Sequence, residues 1–317
     1  YMESNSKIDY QELKERLDNV HVESRKEKQH KSGKLTAWER INLLIDEGTF
    51  VETNVYIEHR CTYFSMQNKK QEGDGVITGY GKVDGRTVCV YAQDFTVFGG
   101  SISKMNAKKI ADIQDKALQM KVPIIGLFDS GGARVQEGIQ SLSGHGNIFF
   151  NNVKTSGKIP QISAIMGPCA GGASYSPALT DFILMVEGTS NMFITGPRVV
   201  KEAIGQVVSM DDLGGTETHS IMSGIADFVA KDDQLCIAYI KKLLTYLPDN
   251  YRKRPNVYKV APFNMIKNEK INDIVPMSNR QPFDTHDVIK CLTDEGSIME
   301  MKEKYAPNII TTLARIG

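Results

Sequence analysis

The sequence predicts an α/β layered fold in which parallel strands alternate with helices, and three observations carry that prediction. The first is a glycine-rich elbow after an apolar strand, Val122-Pro-Ile-Ile-Gly-Leu-Phe-Asp-Ser-Gly-Gly-Ala-Arg134. The second is another elbow forty residues on, Ile159-Pro-Gln-Ile-Ser-Ala-Ile-Met-Gly-Pro-Cys-Ala-Gly-Gly-Ala-Ser174, with the same order of β-branched residue, proline, apolar run and Gly-Gly-Ala. Each elbow leads into a helical pattern, and strands separated by helices pair in parallel. The third is an Asp-Gly turn at Asp84-Gly85 between two runs rich in β-branched residues, which predicts an antiparallel hairpin.

In chain order, residues 7 to 32 are densely charged, with Leu13, Leu17 and Val20 at amphipathic-helix spacing. Lys34 to Asp46 continues with Leu35, Trp38, Ile41, Leu44 and Ile45 at helical spacing, and Gly48 ends it. Gly75 to Lys82 and Arg86 to Phe95 form the hairpin, Ser101 to Gln119 reads as a helix, and the strand 122 to 128 enters the first elbow. A helix around 137 to 155 and the strand 159 to 166 lead to the second elbow. Apolar segments at 181 to 186, 192 to 195 and 225 to 229 add short strands, and 232 to 247 is a helix closed by Pro248. Residues 249 to 283 collect proline, asparagine and basic residues without periodicity, as a linker does. Beyond them, Leu292-Thr-Asp-Glu-Gly-Ser-Ile-Met-Glu300 repeats Leu44-Ile-Asp-Glu-Gly-Thr-Phe-Val-Glu52 at an offset of 248, as the start of a second copy of the fold would.

Bulk properties narrow the function. Lys plus Arg and Asp plus Glu both number 38 among 317 residues, so no net field attracts nucleic acid or an anionic membrane. Cys61, Cys89, Cys169, Cys236 and Cys291 show no zinc-ligand spacing, which predicts free thiols, a reducing compartment and no metal. Neither a bilayer-spanning run nor a signal-peptide core appears, so a cytoplasmic location is expected, or a mitochondrial matrix if a transit peptide has been removed.

Small residues at a strand end let a ligand approach the backbone, and two such elbows on neighbouring strands can aim N–H groups at one oxygen. The candidate catalytic groups are therefore Gly131, Gly132 and Ala133 with Gly171, Gly172 and Ala173. The competing reading is a pair of tight strand-to-helix turns, which need small residues in any case. Neither elbow spells the dinucleotide fingerprint GxGxxG or a Walker loop. Ser130 and Ser174 lie outside any GxSxG elbow, and nothing pairs either with a particular histidine. His145 reads as a loop residue and His219 as a source of hydrogen bonds. Phe98, Gly99 and Gly100 can admit a ligand, although a turn capped by Ser101 or Ser103 accounts for them equally well. Tyr175 either lines a pocket or fills core; Arg134 is a candidate for a phosphate or a partner carboxylate, against the default of a solvated surface arginine.

The runs GKLTAWERINLLIDEGTFVE (33 to 52), GDGVITGYGKVDGR (73 to 86), QDFTVFGGS (93 to 101), DSGGAR (129 to 134), GPCAGGASYSPALTDF (167 to 182), FITGP (193 to 197) and DLGGTETH (212 to 219) together resemble the biotin-dependent acyl-CoA carboxyltransferases. Within that family the resemblance is greatest to propionyl-CoA carboxylase β subunits, with the subunits of methylmalonyl-CoA and glutaconyl-CoA decarboxylases as close alternatives. The N-terminal zinc-ribbon cysteines of bacterial acetyl-CoA carboxylase β subunits are missing from this sequence.

The resemblance implies a crotonase fold of β-β-α turns, an acyl-CoA substrate and carboxybiotin carried on a partner protein or domain. It further implies transfer of a carboxyl group to the α-carbon of the thioester, most simply propionyl-CoA, with the enolate held by the two elbows. Phe98, Gly99, Gly100, Arg134 and Tyr175 become candidates for binding CoA. The implied partners are a biotin carboxyl carrier, a biotin carboxylase subunit and further copies of the chain. The expected domains are 1–260 for acyl-CoA binding, 261–283 as linker and 284–317 as the start of the second domain. In the family that second domain supplies the biotin-facing elbows, so a chain stopping at Gly317 is expected to bind acyl-CoA without transferring a carboxyl group. A non-catalytic CoA-binding module is the rival of a different class; a crotonase-type hydratase or a ClpP-like hydrolase would need an acidic pair or a Ser-His-Asp set beside the elbows.

Overall fold

The computed structural model describes residues 23–258 and 270–317. The expected helix through Leu13, Leu17 and Val20 lies outside them, as does the middle of the expected linker. The chain opens with α1 (Glu23–Lys31) and α2 (Ala37–Leu44). Helix α2 starts three residues later than its apolar spacing implies, because Thr36 accepts the Glu39 N–H while the Glu39 carboxylate accepts the Thr36 N–H. That capping box leaves Lys34 and Leu35 outside the helix.

Strands β1 (Val51–Thr53), β2 (Val76–Val83) and β3 (Arg86–Gln93) form an antiparallel meander, with Val83 paired to Arg86 across the Asp84-Gly85 turn. Helix α3 (Lys104–Met120) is capped by Ser103, whose Oγ accepts the Met105 and Asn106 amides. Strand β4 (Ile124–Ser130), helix α4 (Ile139–Thr155), strand β5 (Gln161–Ala170) and helix α5 (Gly172–Ala178) then give the expected alternation. Strands β6 (Phe182–Val186) and β7 (Asn191–Phe193) follow, then helices α6 (Pro197–Ile204) and α7 (Met210–Gly214), strand β8 (Phe228–Ala230) and helix α8 (Asp233–Tyr246). The sheet order is β1-β2-β3-β4-β5-β6-β8, parallel from β3 onward, and β7 pairs with the end of β5.

Side chains alternate across the pleat. Val88, Val90, Ile125 and Leu127 join Ile41, Leu44, Ile237 and Ile240 of α2 and α8 in one core layer. Cys89, Tyr91, Ile124 and Phe128 join Ile110, Ile113 and Ile148 of α3 and α4 in the other. Two-sided burial explains why β4 and β5 read as almost continuous apolar runs.

After a one-turn helix, α9 (Ile271–Ile274), come α10 (Thr285–Leu292), β9 (Met299–Met301) and β10 (Thr311–Leu313), the two strands pairing antiparallel. Both ends of α10 lie 248 positions after those of α2, and both ends of β9 lie 248 after those of β1. Gly48 and Gly296, the matching turn residues, share a φ of +71°. The sequence repeat is thus also a repeat of helix, turn and strand.

Candidate active site

The two elbows leave the same end of adjacent parallel strands, where ligands of open α/β sheets bind. They touch: a β-carbon added to Gly132 would lie 2.6 Å from the Ala170 carbonyl oxygen, and Gly132 has a φ of +96°. Glycine is therefore required twice over at this position.

Hydrogen bonds separate the six candidate amides. Gly131 N–H donates to Gly99 O at 2.9 Å, Gly132 N–H to Ser130 Oγ at 3.1 Å, and Gly171 N–H to Phe193 O at 3.0 Å. Ala133 sits in a bridge to Ile102 formed by Ile102 N–H to Gly132 O and Arg134 N–H to Ile102 O, which leaves its own N–H without a partner among the described residues. Gly172 and Ala173 begin α5, where the first amides have no acceptor within the helix, and neither amide finds one elsewhere among the described residues. The first elbow thus has one unbonded donor and the second has two.

Scaffolding around these amides comes from residues distant in sequence. Phe98, Gly99 and Gly100 form a tight turn pressed on the first elbow: Gly99 O accepts the Gly131 N–H, and Ser130 Oγ donates to Gly100 O at 2.7 Å. Phe98 packs edge-on against His59, with ring centroids 5.6 Å apart. Ser130 is thereby committed to the backbone, and Ser174 Oγ donates to Gly171 O, so neither serine pairs with a histidine among the described residues. His219 Nε2 bonds Met192 O at 2.6 Å and steadies β7, whose Phe193 O holds Gly171.

His145 departs from expectation. It lies in α4 rather than in a loop, because the glycines on either side of it are accommodated within the helix. Its ring is buried and fills the space a β-carbon on Gly172 would need, 2.7 Å from that position to Cδ2. Nδ1 bonds Ser141 O at 2.9 Å, and burial holds the ring's pKa below the usual histidine value.

Of the readings offered for Arg134, the partner carboxylate is the one present, and the default of a solvated surface arginine is not. It is 1% exposed, its Nη1 pairs with the buried Asp74 carboxylate, and Nη2 donates to Ser101 O at 2.8 Å. Its guanidinium, stacked over Phe98 at 4.7 Å, braces the floor beneath the elbow. Tyr175 is 44% exposed beside the second elbow, against Phe149.

Sequence reasoning missed the charged root of the first elbow. Asp129 is fully buried and accepts from Lys34 Nζ at 2.9 Å, Arg40 Nη1 at 3.0 Å and Gln29 Nε2 at 2.8 Å. Arg40 also pairs with Asp233 at 2.8 Å, tying α2 and α8 to the strand that ends in the elbow. An acidic residue at the end of an apolar strand, with basic residues near the first helix, was the available signal. Two clefts, about 410 and 850 Å3, lie along β8 and residues 211–222, away from the elbows. Among the described residues no group of three metal-ligating side chains converges, and no helix is long and apolar enough to cross a membrane.

Amides without an acceptor among the described residues thus stand at the ends of two neighbouring parallel strands. A family model for the carboxyl transferase domain matches residues 28–317, and the chain belongs to that family. Methylmalonyl-CoA decarboxylase subunit alpha of Veillonella parvula is 49% identical over 293 residues, covering 92% of this chain and 58% of that protein. The propionyl-CoA carboxylase carboxyltransferase subunit of Haloferax mediterranei is 50% identical over 296 residues, covering 93% and 57%. A crystal structure of transcarboxylase 12S with methylmalonyl-coenzyme A and methylmalonic acid bound superposes with a TM-score of 0.91 at 45% identity, covering 96% of this chain and 60% of that one. The fold is the crotonase-like one of these carboxyltransferases. The chain spans somewhat more than half the length of these relatives.

Proposed function

We propose that this chain is the acyl-CoA-binding part of a biotin-dependent carboxyltransferase, and that Ala133 N–H together with the N–H of Gly172 or Ala173 holds the thioester oxygen as it becomes an enolate. The observation that supports this reading is the pattern of spent and unspent amides: three of the six are bonded internally, and the unbonded ones stand on both elbows. A thioester α-proton is weakly acidic, so the elbows must stabilise the enolate; one such donor contributes about 3 kcal/mol. The same oxyanion forms whether a carboxyl group arrives at the α-carbon or leaves it, which suits relatives named both carboxylases and decarboxylases.

Propionyl-CoA and its product methylmalonyl-CoA are the proposed pair, supported by the ligand in the transcarboxylase 12S structure. The Phe98–Gly100 turn and Tyr175 border the proposed CoA groove. Arg134 acts there through the turn, as its own hydrogen bonds are committed to protein. Carboxybiotin, carried by a partner, supplies the carboxyl group when bound. The elbows of this chain form one pair around one oxygen, and we assign the biotin-facing amides to a second copy of the fold, whose first elements are α10, β9 and β10. Further copies of the chain and a biotin carboxyl carrier are the proposed partners.

Ala133→Pro tests the reading, because it deletes an N–H that has no acceptor among the described residues and spares both bridge bonds. Measured in the complete carboxyltransferase with its biotin carrier, turnover should fall about 100-fold or more while acyl-CoA affinity changes little. Unaltered turnover from a folded Ala133→Pro protein would reject the oxyanion role.

A further inference from the structure

We propose that Arg40 is a positioning residue for both elbows: from the layer of α2 and α8 its guanidinium holds a local shift of register between β4 and β5, and that shift sets where the second elbow lies against the first. Its part in turnover rests on the oxyanion role proposed above. Strands β4 and β5 run in step from Ile124 against Gln161 to Phe128 against Ile165, and the next pair is Ser130 against Cys169. One residue, Asp129, therefore stands opposite three, Met166, Gly167 and Pro168. Up to Ile165 the far neighbour of β5 is β6; from Pro168 to Ala170 it is β7. The segment that leads into Gly171 and Gly172 thus leaves the regular sheet at the shift, as a strand does where a bulge re-aims it.

Pro168 has no N–H to give to a neighbouring strand, so side chains must help to hold this geometry. The planar fork of Arg40 reaches three elements at once: Nη1 donates to Asp129 Oδ2 on β4 at 3.0 Å, Nη2 to Met166 O on β5 at 2.7 Å, and Nε to Asp233 Oδ2 beside it on α8 at 2.8 Å. Gly167 completes the arrangement, for a β-carbon there would land on the Asp129 carboxylate; the shifted strand lies directly against the acid that Arg40 holds. Lys34 and Gln29 also bond Asp129, but among the described residues Arg40 is the one of the three whose hydrogen bonds include β5. Asp129 leads through Ser130 into the first elbow, and Met166 leads through Pro168 and Ala170 into the second. Arg40 is 0% exposed, so it acts through these bonds and not by touching a ligand.

Arg40→Lys keeps a charge between Asp129 and Asp233 but replaces the fork by a single point, so Met166 O loses its donor. If that variant does not fold, Arg40→Met/Asp233→Asn removes one charge of each sign and leaves Lys34 paired with Asp129. A crystal structure of the variant chain should show the Ala170 carbonyl displaced from Gly132 by about 0.5 Å, the tolerance of a preorganised site. Elbows in the wild-type position would overturn the proposal whatever the kinetics. In the complete carboxyltransferase with its biotin carrier, assayed below the variant's unfolding temperature, kcat should fall about 10- to 100-fold with the KM for acyl-CoA unchanged. A rise in KM without loss of kcat would count against it. A role in stability alone would lower the unfolding midpoint and leave both the elbows and kcat as in the wild type. Displaced elbows with wild-type kcat would overturn the oxyanion reading together with Arg40's part in it, an outcome Ala133→Pro tells apart, since it too would then leave turnover unaltered.

Discussion

Gly172→Ala isolates the steric part of the second elbow. Gly172 has no left-handed backbone to be strained, so the substitution acts through its new methyl alone. That methyl would sit 2.7 Å from His145 Cδ2 and 2.9 Å from Nε2, closer than carbon contacts allow. The ring has little room to yield, being buried, tethered through Nδ1 to Ser141 O and stacked near Phe149 at 6.0 Å. Overpacking of this kind costs about 1–3 kcal/mol. If the elbow moves instead of the ring, the Gly172 amide leaves its alignment, and losing one oxyanion donor lowers turnover about 100- to 1000-fold. Urea denaturation of the chain reads the first effect, and kcat of the complete carboxyltransferase reads the second. The double variant Gly172→Ala/His145→Ala makes space for the methyl and should recover much of the lost kcat. A single variant with wild-type stability and kcat, or a double variant no better than the single, would refute the reasoning.

Asp129→Asn should destabilise the chain by about 3–5 kcal/mol, since it removes the carboxylate that pairs with the buried Lys34 and leaves Arg40 with Asp233 alone; chemical denaturation at neutral pH measures it. Arg134→Met should likewise unfold the chain at lower denaturant by stranding Asp74. A salt-dependent loss of CoA affinity at wild-type stability would instead return Arg134 to the phosphate role. His145 has a folded pKa below the ordinary value, so the unfolded chain takes up its proton first, and stability is lost as pH falls from about 6.5 through the folded pKa. The acid limb of the stability profile should therefore be shallower in His145→Phe than in the wild type, and identical limbs would contradict the assignment.

What the sequence disclosed was local. The Gly-Gly-Ala elbows, the Asp-Gly hairpin and the nine-residue repeat at an offset of 248 are patterns of neighbours, and each is found in the folded chain within a few residues of its expected place. Which amide of each trio stays free was illegible, because the acceptors that occupy the others, Gly99 O, Ser130 Oγ and Phe193 O, come from tertiary contacts. Arg134 and Asp129 were hidden for the same reason: charge next to glycine suggests a surface, while burial depends on partners such as Asp74, Lys34 and Arg40 brought from 60 to 95 positions away. His145 looked like a loop residue because two glycines flank it, yet α4 packs so closely on α3 that a β-carbon on Gly144 would meet Ala107 at 2.6 Å.

The turn at Phe98–Gly100 is riveted to the first elbow by two hydrogen bonds and by contact so close that a β-carbon on Gly100 would fall 2.1 Å from the Asp129 carbonyl oxygen. No hinge separates the two. Under the proposed function, whatever rests on the turn would be registered at once in the aim of the Ala133 amide, and this rim would work as a fixed gauge rather than a closing jaw.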